Sequence, residues 1–281
     1  MISRIVIALI LAFTGATMGL AAGYFRWGMQ SDWYLVHDVA KLPAGPETDL
    51  IVYGYQLITN TQRYVGPDVT DPVMHFAGNN LACTNCHLRA GLQPLAAPFV
   101  STFTTFPMMV DDRVVTLRER INGCMTRSMN GRALPADGRE MKALLAYLEF
   151  VGRGTPTGIR VPGMGLPLTS EPDQPPSADR GQAVYVAACG RCHGADGQGR
   201  QRSAQPTEGY EVPPLWGNGS FNSSAGMSRL TTASAFVEAN MPLGVDAGAA
   251  PLSLQSAWDV AAFFTSQHRP IGPEATTTPE K

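Results

Sequence analysis

Charge is in short supply in this sequence. Charged residues make up 16% of the 281 residues, and 21 basic side chains nearly balance 23 acidic ones, for a net charge of −2. That balance excludes the basic footprint of a nucleic-acid binder, a basic membrane-surface patch and an acidic tail. Cysteine is scarce too, with five in the chain, placed as two pairs and a singleton. The pairs are Cys83/Cys86 and Cys189/Cys192, with 102 residues between Cys86 and Cys189. A zinc ribbon would need its pairs separated by roughly 15–20 residues. No βαβ pattern surrounds either pair, so a thioredoxin-like redox motif is also excluded. The chain does not lack apolar residues: at 44% it is not globally disordered. Its length allows two domains of about 100–200 residues each.

A long apolar run is present only at the N-terminus. Arg4 precedes a stretch from Ile5 to Phe25 broken only by small residues and Thr. A basic residue ahead of such a run keeps the N-terminus in the cytoplasm. The run is long enough for a bilayer, which takes roughly 20 residues, and Gly19 and Ala21 also make a small-x-small cleavage pattern. Residues 1–30 are therefore expected to be a signal peptide or a membrane anchor through residues 5–25. The rest would lie on the periplasmic side of the inner membrane, soluble if the segment is cleaved and anchored if it is not.

Beyond that segment the pattern is all-α, with two tandem units. The first, 45–153, has helical stretches near Tyr53–Gln62, from about Asp112 to Met129, and over Arg139–Val151, where Met141, Leu144, Leu145, Leu148 and Val151 fall at helical spacing. A Gly/Pro-rich stretch, 154–177, reads as a linker. The second unit, 178–269, opens with a helix near Ala178–Ala188 and closes with one near Ser256–His268. The Pro/Thr-rich tail, 270–281, reads as disordered. Each unit runs helix, CxxCH, long loop, closing helix, with the motifs offset by 106 residues; this is an internal duplication.

The motifs are Cys83-Thr84-Asn85-Cys86-His87 and Cys189-Gly190-Arg191-Cys192-His193. CxxCH is the attachment signature of c-type haem. Two cysteines three apart sit on one side of a helical turn, so both sulfurs can bond the vinyl groups along one porphyrin edge. The adjacent His then supplies the proximal ligand. Two such motifs in an exported helical chain predict two covalent haem c groups.

Each iron needs a second axial ligand. In the second unit, Met241 in Asn240-Met241-Pro242 lies 48 residues after His193, where a thioether would raise the potential. Met227 is the rival, and plain core packing is the alternative for either. The first unit offers Met108, Met109, Met125 and Met129, and it also holds the fifth cysteine, Cys124. Free cysteines are often simply buried. Here, however, Arg120 is one helical turn before Cys124 and Arg127 is three residues after it, which places all three on one side of a helix. Guanidinium groups favour the thiolate, an iron ligand and a nucleophile; two arginines on a merely solvated face are the competing reading.

Leu81–Gly91 and Arg120–Gly131 resemble the dihaem thiosulfate dehydrogenases that form tetrathionate. The likeness continues through Glu140-Met141, Tyr147, Cys189–Gly194, Pro213–Gly217, Phe221-Asn222, Ala225–Met227 and Asn240–Pro242, and spans about residues 45–268. It implies that haem one is bound through Cys83 and Cys86 with His87 and Cys124 as ligands, and haem two through Cys189 and Cys192 with His193 and Met241. Arg120 and Ser128 match residues that line the family's substrate pocket, and Arg127 joins them in the catalytic set. Some members carry a lysine just before the haem-two methionine; Asn240 stands there, so no Lys/Met exchange is expected. The implied substrates are thiosulfate and tetrathionate, and the implied partner is an external acceptor, another cytochrome or a high-potential carrier.

Charge supports this reading. Four unit-charge pairs between two thiosulfates at ~4 Å repel by about 4 kcal/mol in water and more in a half-buried site, which arginines would offset. Two other function classes stay open: a non-catalytic dihaem electron carrier, and the same enzyme type working mainly as a tetrathionate reductase.

Overall fold

The computed structural model describes residues 38–110, 112–244 and 252–273. The expected export or anchor segment, 1–30, lies outside the described residues, as does the tail from residue 274. Among the described residues no helix is long and apolar enough to cross a membrane.

The chain folds as two tandem, mostly helical units. In the first, α1 (Pro46–Thr59) leads to a hairpin of β1 (Met108–Val110) and β2 (Arg113–Val115), then α2 (Leu117–Arg127) and α3 (Arg139–Val151). The second holds α4 (Ala178–Val184), a small sheet of β3 (Arg200–Gln201) and β4 (Tyr210–Val212), α5 (Leu230–Asn240) and α6 (Leu254–Thr265). Apart from these two short hairpins the described residues are helix and loop, as the all-α reading expects.

In each unit the first and last helices cross at a glycine. A Cβ on Gly54 of α1 would lie 2.0 Å from the Ala143 carbonyl oxygen of α3, and one on Gly181 of α4 would lie 1.9 Å from the Asp259 carbonyl oxygen of α6. Only a residue without a side chain lets the backbones approach so closely. Ile51, Leu57 and Ile58 of α1 and Met141, Leu144 and Leu148 of α3 share one core. Tyr185, Val237, Val260 and Phe264 share another. At the second crossing Asp259 is buried, accepts from the Ser177 N–H at 2.8 Å and pairs with Arg180 at 2.7 Å.

Several sequence boundaries shift. The helix expected near Tyr53–Gln62 is Pro46–Thr59 followed by the short Thr61–Val65, because Pro46 at the first helical position starts it early. The helix expected from Asp112 begins at Leu117. Thr116 accepts from the Glu119 N–H at 3.2 Å while Glu119 accepts from the Thr116 N–H at 2.7 Å, a capping box that fixes the start. Helix α5 was not expected. The opening helix of unit two passes through a wide π-turn at Tyr185–Cys189 into Gly190–His193, and the closing helix is Leu254–Thr265.

The linker is not a free tether. The Gly163 and Gly165 carbonyls accept from Leu95 and Ala97 N–H at 2.7 and 2.9 Å, and Val161 is buried against Val100. Residues 270–273 of the tail are also held, with the Pro270 carbonyl accepting from Ser223 N–H at 2.9 Å. Three buried asparagines join the units. Asn79 donates to the Ser128 and Ser220 carbonyls at 3.0 and 3.1 Å, Asn222 to the Thr126 carbonyl at 2.9 Å, and Asn240 to the Leu95 carbonyl at 3.0 Å.

Candidate functional site

A partly open, largely apolar space lies between the first unit's CxxCH segment and α2. Cys83, Cys86 and His87 line one side, Cys124, Ser128 and Met129 the other, with Ile58, Phe99 and Leu144 among the apolar walls. His87 is fixed twice: its Nδ1–H donates to the Ala97 carbonyl at 2.7 Å, and its ring lies 4.5 Å from that of Phe99. Nδ1 is committed, and His87 also helps lower the pKa of Cys124.

Cys124 differs electrostatically from the motif cysteines. Burial pushes the Cys83 thiol up to about 11 and Cys86 to about 12. Burial acts on Cys124 in the same sense. There the Arg120 guanidinium, then the hydrogen bond and charge of His87, then Arg127, outweigh it and lower the pKa from 9.0 to about 6. The geometry behind this is direct, since Arg120 Nη1 donates to Cys124 Sγ at 3.0 Å. Arg127 folds back over Gly123, its Nε donating to that carbonyl at 2.9 Å. The neighbouring arginines thus favour the thiolate form of Cys124.

A larger, partly open space lies beside the second motif. Cys189, Cys192, His193 and Met241 line it. His193 donates through Nδ1 to the Pro213 carbonyl at 2.9 Å, and burial lowers its pKa. Met241 follows α5 directly, anchored by Asn240, which also donates to the Phe236 carbonyl at 3.1 Å. Met227 lines both spaces.

The residues at each motif fit a c-type haem. All four motif cysteines are unpaired in disulfides and border a largely apolar space. Each histidine has one ring nitrogen tied to a carbonyl, the arrangement that orients a metal-ligating imidazole. His87 and Cys124 at the first space, and His193 with Met241 or Met227 at the second, are candidate ligands for a metal held there. The two spaces share Leu81, Cys86, Phe221 and Met227 as wall residues, and Thr84, Leu88 and Arg89 of the first unit also line the second. Groups held in the two would be near neighbours.

The catalytic, haem-binding and ligand residues read from the sequence fall at one of these two spaces, except Arg120, which donates to Cys124, and Arg127, which folds over the adjacent Gly123. Met108 and Met109 do not, since they sit exposed on β1; Met125 and Met129 are buried core beside the first space. Two participants had no role assigned from the sequence. Phe221 forms the common wall, and the Leu88–Arg89 segment reaches across to the second unit.

The SoxA/TsdA cytochrome c domain family matches residues 75–157, and the cytochrome c family matches residues 178–267. Two cytochrome c domains carry two covalently bound haem c groups. A thiosulfate dehydrogenase of Allochromatium vinosum is 41% identical over 244 residues, covering 84% of each chain. One of Stutzerimonas stutzeri is 35% identical over 260 residues, covering 92% of this chain and 77% of that one. The structure of thiosulfate dehydrogenase (TsdBA) from Marichromatium purpuratum aligns with a TM-score of 0.75 at 34% identity, covering 85% of this chain; the match spans 50% of that longer chain.

Proposed function

The chain belongs to the thiosulfate dehydrogenase family, and from that premise we propose that it oxidises two thiosulfates to tetrathionate and passes the two electrons to an external acceptor. The observation that carries the reading is Cys124, a thiol held at 3.0 Å by Arg120 and opposed by His87. A pure electron carrier has no use for a stabilised thiolate at that position.

Cys83 and Cys86 would hold the first haem, with His87 and Cys124 on its iron. Cys189 and Cys192 would hold the second, with His193 and Met241. The haems, when bound, accept electrons one at a time and pass them outward, the thiolate-ligated one at lower potential than the thioether-ligated one.

The sulfur chemistry belongs to the side chains. Arg120 and Arg127 draw the first dianion to Cys124, and Ser128 lies on the same wall. The Cys124 thiolate and the sulfane sulfur of thiosulfate form a sulfur–sulfur bond as two electrons leave. The sulfane sulfur of a second thiosulfate then attacks the outer sulfur of that adduct. The Cys124–sulfur bond breaks, tetrathionate departs, and the cysteine returns as a thiolate, with no net proton uptake. The two arginines offset the repulsion of about 4 kcal/mol or more between the dianions. A sulfur committed to iron is not free to attack, so ligation and catalysis by Cys124 alternate.

Residues 45–153 form the catalytic unit and 178–269 the exit unit in this scheme. The acceptor is another cytochrome or a high-potential carrier, and the enzyme works on the periplasmic side of the inner membrane, held there by residues 5–25 if they are retained. The test is Cys124→Gly in a thiosulfate assay with ferricyanide as acceptor. Turnover should vanish while both haems stay attached; substantial turnover would sink the covalent scheme.

A further inference from the structure

One cation in the second unit has no part in the scheme above and no counter-ion among the described residues. Arg269 is 7% exposed. Its Nη2 donates to the Phe264 carbonyl at 2.6 Å and its Nη1 to the Leu215 carbonyl at 3.3 Å. Its guanidinium carbon lies 4.5 Å from the centre of the Phe221 ring. None of the ion pairs among the described residues includes it. Burial lowers its pKa to about 10, so it is charged at neutral pH.

Burying a charge is costly and calls for compensating groups. Capping the end of α6 through the Phe264 carbonyl explains the hydrogen bonds but not the charge, because a neutral donor would serve. What the charge faces is informative. Leu215, Phe221 and Phe264, its three partners, all line the second space, and Phe221 lines the first as well. The guanidinium therefore stands directly behind the wall of the haem-two site. There its field favours the form of the haem that carries the extra electron.

We propose that Arg269 is a positioning residue that raises the reduction potential of haem two through its buried charge. The inference rests on the reading that the second space holds a haem. An elementary charge about 10 Å away through protein of effective dielectric about 20 shifts an equilibrium roughly tenfold. For a one-electron couple, tenfold corresponds to 59 mV.

The test is an optical redox titration of the haem-loaded protein and its Arg269→Gln and Arg269→Lys variants, with mass spectrometry to count attached haems. Arg269→Gln should lower the haem-two equilibrium constant about tenfold and leave haem one less affected, while Arg269→Lys should stay near the parent. An unchanged haem-two potential in Arg269→Gln would overturn the proposal. So would an equal drop in both variants, which would assign the effect to the hydrogen bonds. If Arg269→Gln does not fold, Arg269→citrulline, installed by ligating a synthetic C-terminal peptide, keeps the shape and both donors and removes only the charge; it must show the same drop. Parent protein with a single attached haem would instead fail the site reading on which the inference rests.

Discussion

Arg120→Gln isolates the link between charge and chemistry at Cys124. The substitution removes the guanidinium that donates to Sγ at 3.0 Å, the largest influence opposing burial in lowering this thiol to about 6. A hydrogen bond to a charged group is worth roughly 1.5–3 kcal/mol, which is about one to two pKa units. The thiol should then titrate between about 7 and 8, and the thiolate fraction at pH 7 should fall from roughly 90% to between 10% and 50%. The thiolate is the reactive form, so activity is present above the pKa and lost as pH falls through it. The assay is kcat/KM for thiosulfate from pH 4.5 to 9. The parent profile should lose activity on an acid limb near 6, and Arg120→Gln should move that limb up by one to two pH units. At pH 9 both thiols are ionised, so any remaining deficit reports the lost contact between Arg120 and the substrate anion. A variant profile that runs parallel to the parent at every pH would refute the role given to Arg120.

Cys124→Met should leave a folded dihaem protein with a higher haem-one potential and almost no thiosulfate oxidation; an unchanged haem-one spectrum would reject Cys124 as a ligand. Met241→Ala should remove the His/Met spectral signature of haem two and slow electron exit without weakening thiosulfate binding. If Met227→Ala removes that signature instead, the ligand is the methionine on the shared wall. Asp259→Asn should lower the melting temperature of the second unit by about 5–10 °C. The Asp259 carboxyl is held below its ordinary value although burial opposes this, because Arg180, Ser177 and Gln255 hydrogen-bond its charged form. Its contribution is therefore present above the unfolded value near 3.9 and lost as pH falls through the lower folded value, a loss that pH-dependent melting of the parent and the variant would reveal.

What could be read from the sequence was local. The two CxxCH motifs, the Arg139–Val151 helix and the cluster of Arg120, Cys124 and Arg127 depend on neighbours within a turn or two, and these the spacing carries. The start of α2 was also encoded, as Thr116 and Glu119, but Asp111 and Asp112 ahead of it mimic the acidic first turn of a helix. Asp112 belongs to the turn between β1 and β2 instead. The strapping of the linker depends on backbone carbonyls of Gly163 and Gly165 meeting Leu95 and Ala97, and backbone pairing of that kind leaves no mark on residue type. The same holds for the shared wall at Phe221 and for Arg269, whose burial is set by segments about fifty residues away in the chain.

The most direct test of the central claim is anaerobic addition of thiosulfate to the purified, oxidised protein, with the haem bands and tetrathionate followed together. The account predicts reduction of both haems without any added mediator, with one tetrathionate formed for every two haems reduced. Haems that stay oxidised in thiosulfate, or that are reduced without tetrathionate appearing, would contradict it.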